Sequence, residues 1–142
     1  MKFLNLIALT SILSLSAHAS LEIDIKPYLN KSGTGHEMGT NIGECSLKVE
    51  DGAVSFEGTY YTMQYVEVSA QLDSSSNGIN TYVSSANGKR PGGDQCGDYG
   101  GMFGFKKVLV INSNSKTVSI INSFRCALDF GKKYVLEWAC KF

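Results

Sequence analysis

The sequence is poor in histidine, in long apolar runs, in basic runs and in closely spaced cysteines, and each shortage narrows its function. Only His18 and His36 occur among 142 residues. A Ser-His-Asp or Cys-His active site in the body of the chain would have to use His36. After residue 16 no apolar stretch approaches the ~20 residues that a membrane-spanning helix needs. Lys plus Arg and Asp plus Glu stand at 13 each, and the bases form no cluster. That balance lacks the footprint of a nucleic-acid binder. No two cysteines are closer than Cys126 and Cys140, whereas four-cysteine metal sites present close pairs. There is no internal repeat and no clear helical period.

What is present begins with an export pattern. Met1-Lys2 gives a short positive start, 3–16 is largely apolar, and Ala17-His18-Ala19 is a small-x-small cleavage site. This is the pattern of a secretory signal peptide over 1–19, of bacterial type, with 20–142 as one exported domain. Position 20 is Ser rather than Cys, so no lipid anchor is indicated. The periplasm or the medium is the expected location. Cys45, Cys96, Cys126 and Cys140 then read as two disulfides, as expected of an even count in an exported chain.

The stretch Phe124–Phe142 carries the strongest pattern. Phe124, Cys126, Leu128 and Phe130 alternate with polar or small residues, as do Tyr134, Leu136, Trp138, Cys140 and Phe142. Period-2 alternation on both sides of Gly131-Lys132-Lys133 is the signature of a hairpin with one buried face. A three-residue loop would set Phe130 opposite Tyr134, Leu128 opposite Leu136 and Cys126 opposite Trp138. Three disulfide connectivities are open. Cys126 and Cys140 share a face, which suggests 126–140 with 45–96. The three-residue loop leaves them diagonal and about 7–8 Å apart, beyond the usual bridge. A longer register would set them opposite.

Upstream, Leu21, Ile23 and Ile25 alternate and read as a strand stopped by Pro27. The segment 30–44 holds four glycines and reads as a loop. Asp51-Gly52 between alternating runs predicts a two-residue hairpin pairing Val49 with Val54 and Leu47 with Phe56. In 59–72 the apolar parity flips, which predicts a strand with a bulge near Tyr65; a helix with Tyr61, Tyr65, Val68 and Leu72 on one face is the alternative. The Ser/Asn-rich 73–88 reads as loops around an edge strand at 79–83. Val108–Ile111 reads as a central strand covered on both faces, and Val118, Ile120, Phe124 and Cys126 keep one parity. The sum is all-β: an antiparallel β-sandwich or small closed barrel of about eight strands with two disulfides.

Charge is lopsided along the chain. Residues 105–142 hold Lys106, Lys107, Lys116, Arg125, Lys132, Lys133 and Lys141 against Asp129 and Glu137. Interleaving of the two halves in a sandwich would mix these charges on the surface.

The candidate site is the segment 87–104, NGKRPGGDQCGDYGGMFG, with seven glycines and Cys96 as a clamp. It offers Lys89, Arg90, Asp94, Asp98, Tyr99 and Phe103, and long loops on rigid β scaffolds are where recognition sits. Tyr99, Met102 and Phe103 could equally plug one end of the core. An enzyme reading fares worse: His36 beside Glu37, or Asp94 with Asp98, rests on proximity alone. The oxygen-rich run Asp94–Asp98 lacks calcium-loop spacing, so neither a metal nor a cofactor is implied. The expectation is a binding protein, such as an inhibitor, an immunity protein or an accessory factor, with a protein partner. A glycan-binding module using Tyr99, Phe103 and the aromatics Tyr60, Tyr61 and Tyr65 is the alternative, and a small hydrolase using Asp94 and Asp98 the third reading.

Overall fold

The computed structural model describes residues 20–37, 40–59, 62–84, 96, 101–129 and 132–142, without the side chains of residues 42 and 62–65. The expected leader 1–19 lies outside them. The chain is nearly all antiparallel β. Among the described residues the strands are β1 (Ser32–Glu37), β2 (Thr40–Glu50), β3 (Ala53–Gly58), β4 (Thr62–Glu67), β5 (Gln71–Ser76), β6 (Ile79–Val83), β7 (Met102–Asn112), β8 (Thr117–Cys126) and β9 (Lys133–Lys141). They form one sheet in the order β4-β3-β2-β1-β9-β8-β7-β6-β5. The sheet curls into a half-barrel, which brings β4 back against β7. Leu47, Val54, Phe56, Val66, Tyr82, Leu109, Ile111, Val118, Ile120 and Trp138 fill its inner face.

Local patterns explain much of this. The Asp51-Gly52 turn has positive φ at both residues, and β2 meets β3 with Val49 opposite Val54 and Leu47 opposite Phe56. Ser55 pairs with Gln64 and Val54 with Val66, so Tyr65 is the extra residue of a bulge. β8 is one strand, with Val118, Ile120, Phe124 and Cys126 all buried.

Several expectations are corrected. Residues 20–25 are α-helical, followed by a 3₁₀ turn at Lys26–Tyr28. Leu21 and Ile25 are buried and Ile23 is 68% exposed. A one-turn spacing of four fits that burial and period-2 alternation does not. Pro27 sits in the first turn of the 3₁₀ helix, where its missing N–H has no consequence. The glycine-rich 30–44 is not a loop, because β1 and the start of β2 run through it. The strand expected over 59–72 ends at Glu67, where a turn leads into β5. β6 is not an edge, since it pairs with both β5 and β7 and the edge is β5. Val108 and Val110 are only half-buried, so β7 is covered on one face.

The last hairpin keeps its face and changes its register. Phe124 stands opposite Tyr134, Asn122 opposite Leu136, Ile120 opposite Trp138 and Val118 opposite Cys140. β8 ends at Cys126. The chain then turns, with the Asp129 amide donating to the Cys126 carbonyl, and Leu128 is 68% exposed.

The disulfides are Cys45–Cys140 and Cys96–Cys126. The 126–140 pairing fails because the true register places Cys140 beside Val118, away from Cys126.

Candidate functional site

Of the expected binding residues, Lys89, Arg90, Asp94, Asp98 and Tyr99 lie outside the described residues, as do Tyr60 and Tyr61. Cys96 and Phe103 are described. The Cys96–Cys126 bridge, with Cα atoms 5.6 Å apart, ties the glycine-rich segment to the end of β8. Cys96, Phe124 and Cys126 form a small separate core, packed by Met102, Phe105, Tyr134 and Leu136. Phe124 and Tyr134 stack with centroids 5.6 Å apart. The Tyr134 hydroxyl donates to the Asp129 carboxylate, and the Lys132 ammonium lies 5.2 Å from the Tyr134 ring centroid. The Ala127 amide donates to the Gly101 carbonyl at 3.0 Å, closing the loop base onto the hairpin turn.

Phe103 leaves this core through a defect in β7. Phe103 pairs with Arg125 and Lys106 with Ser123, so Gly104-Phe105 face the single residue Phe124. Gly104 has φ +61°, which its lack of a Cβ permits. The extra residue reverses parity. Phe105 and Met102 stay with the inner cluster, whereas Phe103 shares the outer face with Lys106 and is 48% exposed. Of the two expectations for Met102 and Phe103, plugging holds for Met102 and display for Phe103.

The outer face here has a definite pattern. One row reads Phe103, Arg125, Lys133 across β7, β8 and β9, and the next reads Lys106, Ser123, Val135. Lys106, Arg125, Lys132 and Lys133 are exposed. β7, β8 and β9, which with the turns between them carry Lys106, Lys107, Lys116, Arg125, Lys132, Lys133 and Lys141 against Asp129 and Glu137, are neighbours in the sheet, so folding keeps the charge asymmetry of the sequence instead of mixing it.

A second polar cluster was not visible as such in the sequence. Tyr82, fully buried on β6, donates its hydroxyl to Asp24 on the 20–25 helix. Asn80 Nδ2 donates to the same carboxylate oxygen at 2.8 Å, and the Ser75 hydroxyl reaches Asn80 Oδ1 at 2.6 Å. The Ser20 hydroxyl is 3.1 Å from the Tyr82 oxygen. Burial first, and then the Asp24 carboxylate, push the Tyr82 phenol up to about 12. The cluster pins the helix to the sheet. Its sequence signal was Asp24 falling between Leu21 and Ile25 on one helical face.

His36 lies in β1, half-buried, opposite Asn41 and Ala139. Among the described residues the sheet carries these depressions. One, of about 270 Å³, is lined by Ser32, Glu44, Ser46, Glu57 and Thr59 beside Cys45. Its edge carries the Lys48–Glu57 ion pair at 2.6 Å, and the Glu57 carboxylate raises the Lys48 ammonium above its ordinary pKa. Another, of about 350 Å³, is lined by Ser69, Gln71, Leu72, Asp73, Val83 and Ser84. Among the described residues no three of His, Cys, Asp and Glu converge on a metal-sized site, and no helix is long and apolar enough to cross a membrane.

No family model and no curated protein matches the chain.

Proposed function

We propose that this is a small exported binding protein of the bacterial envelope that recognises another protein through the glycine-rich 87–104 segment and the sheet face beside it. The observation that carries this reading is the pairing of a disulfide clamp with a displayed aromatic. Cys96 fastens the segment to β8, and seven residues later the Gly104 bulge turns Phe103 out to solvent. A clamped loop gives up little entropy on binding, and an exposed aromatic supplies anchor area. Two disulfides fit an oxidising compartment. That agrees with cleavage of a signal peptide after Ala19 and with a final location in the periplasm or the medium.

The test is retention from the source organism's envelope and medium. The intact protein is compared with a variant carrying Lys89→Ala, Arg90→Ala, Asp94→Ala and Tyr99→Ala. A protein held by the first and lost by the second supports the reading. Retention of glycan alone would replace it with a carbohydrate-binding function, and retention of nothing would reject it.

A further inference from the structure

We infer that the outer face of β7, β8 and β9 around the Gly104 bulge is a docking surface for an acidic segment of the partner protein, with Phe103 as its apolar anchor. This rests on the protein-binding reading above and adds the chemistry of the partner.

The bulge is the first argument. In an unbroken β7, Phe103 would share the inner face with Phe105 and Lys107. The extra residue at Gly104 moves it to the outer face, beside Arg125. Bulges are a recurrent means of re-aiming a side chain. Here the result is a large aromatic ring left 48% exposed, although an apolar cluster lies directly beneath it.

Charge is the second argument. Lys133 stands directly opposite Arg125, and Lys106 occupies the next row. Lys106, Arg125 and Lys133 are all exposed, so an acidic segment lying along these rows would meet positive charge in each. The six positions of the two rows, Phe103, Arg125, Lys133, Lys106, Ser123 and Val135, include no acid. The nearest acids among the described residues are half-buried Glu137, one row beyond Val135 and opposite Ile121, and Asp129, whose carboxylate accepts from the Tyr134 hydroxyl. Glu44, Glu50, Asp51, Glu57, Glu67 and Asp73 sit on β2 to β5 or the turn between β2 and β3, away from these rows. The molecule therefore carries a directional field that turns this face toward a negative partner during approach.

The layout favours a protein segment over a lipid surface. Phe103 lies in the same row as Arg125 and Lys133, at strand level, with rows crossing strands about 4.8 Å apart. A membrane-binding face buries apolar side chains beyond its cationic ones. An apolar contact ringed by charge is the usual anatomy of a protein interface.

The test is a titration of the exported protein, labelled with nitrogen-15, with a decaglutamate peptide bearing a central leucine. The amide signals of Phe103, Lys106 and Lys133 are expected to move together. The double variant Lys106→Glu with Lys133→Glu is expected to weaken the peptide about tenfold or more, and Phe103→Ala about fivefold. Lys116→Glu with Lys141→Glu, at the opposite end of the same strands, is expected to change affinity by less than about twofold. Equal loss in that control pair would overturn the inference, since attraction would then be general. So would unmoved signals at Phe103, Lys106 and Lys133. Sedimentation with phosphatidylglycerol vesicles that needs Lys106 and Lys133, without peptide binding, would overturn it in favour of a lipid. A partner retained equally by the intact protein and the Lys106/Lys133 variant would overturn the docking surface while leaving the loop reading in place.

Discussion

Cys45 and Cys140 are bridged across a strand that lies between them. Cys45 belongs to β2 and Cys140 to β9, β1 pairs with both, and yet their Cα atoms are 5.9 Å apart. Adjacent strands alone are about 4.8 Å apart, so the sheet must fold sharply over β1. The residues of β1 paired with the two cysteines are Gly33 and Gly35.

A side chain at Gly33 has no room in that fold. A Cβ there would clash with the Lys141 carbonyl oxygen and fall 3.2 Å from the Cys140 sulfur. Gly33→Val is expected to destabilise the protein by about 3 kcal/mol or more, because backbone on one side and a disulfide on the other leave nothing to yield. Urea denaturation checks this, and a change under about 1 kcal/mol would contradict the sharp fold.

The same residues show what the sequence could and could not convey. Alternation reports which face of a strand is buried, and it did so for Leu47, Val54, Phe56, Ile120 and Trp138, whereas Val49, expected on the same inner face, is 41% exposed at the end of β2. It does not report register, because any even shift preserves the face. The last hairpin therefore kept Phe124, Leu136, Trp138 and Cys140 on their expected side while slipping along β8 to pair Ile120 with Trp138. Gly33 and Gly35 read as loop residues because their place beside the Cys45–Cys140 bridge depends on a partner about a hundred residues away. Leu21–Ile25 fits both periods over so short a stretch, and the Asp24–Tyr82 contact that resolves it is long-range. At the candidate site, Cys96 as a clamp was legible from compartment and count. The outward turn of Phe103 was not, since a bulge at one of seven clustered glycines leaves no distinct pattern.

Tyr82 should give the protein an alkaline limit. Its phenol ionises at about 12 in the folded chain, against an ordinary 10.0. The folded state thus holds the proton more tightly than the unfolded one. The stability from this group is complete below pH about 10 and is lost as pH rises through about 12. Urea midpoints measured across that window should fall in the intact protein and fall less in Tyr82→Phe. Parallel curves would remove Tyr82 as the cause.

Asn122 is fully buried between Lys107 and Leu136, and neither polar atom of its side chain has a partner among the described residues. Replacing an unsatisfied buried amide with an apolar side chain of similar size is expected to stabilise by about 1–2 kcal/mol. Asn122→Leu tests this by thermal or urea denaturation. A loss of stability would show that the amide is engaged in solution.

Trp138 is 2% exposed and packs in the main core opposite Ile120. Trp138→Ala is expected to lose about 3–5 kcal/mol, as for other buried aromatics. A loss below about 1 kcal/mol would place the tryptophan outside the core.

The most direct measurement of the proposed function is a photo-crosslink in the source organism. Benzoylphenylalanine replaces Phe103 in one strain and Leu72, another exposed apolar residue, in a second. The expected result is one discrete protein adduct from position 103, absent from position 72 and diminished when Lys106→Glu and Lys133→Glu are added. No adduct at 103, or the same adducts from both positions, would contradict recognition of a protein through this face.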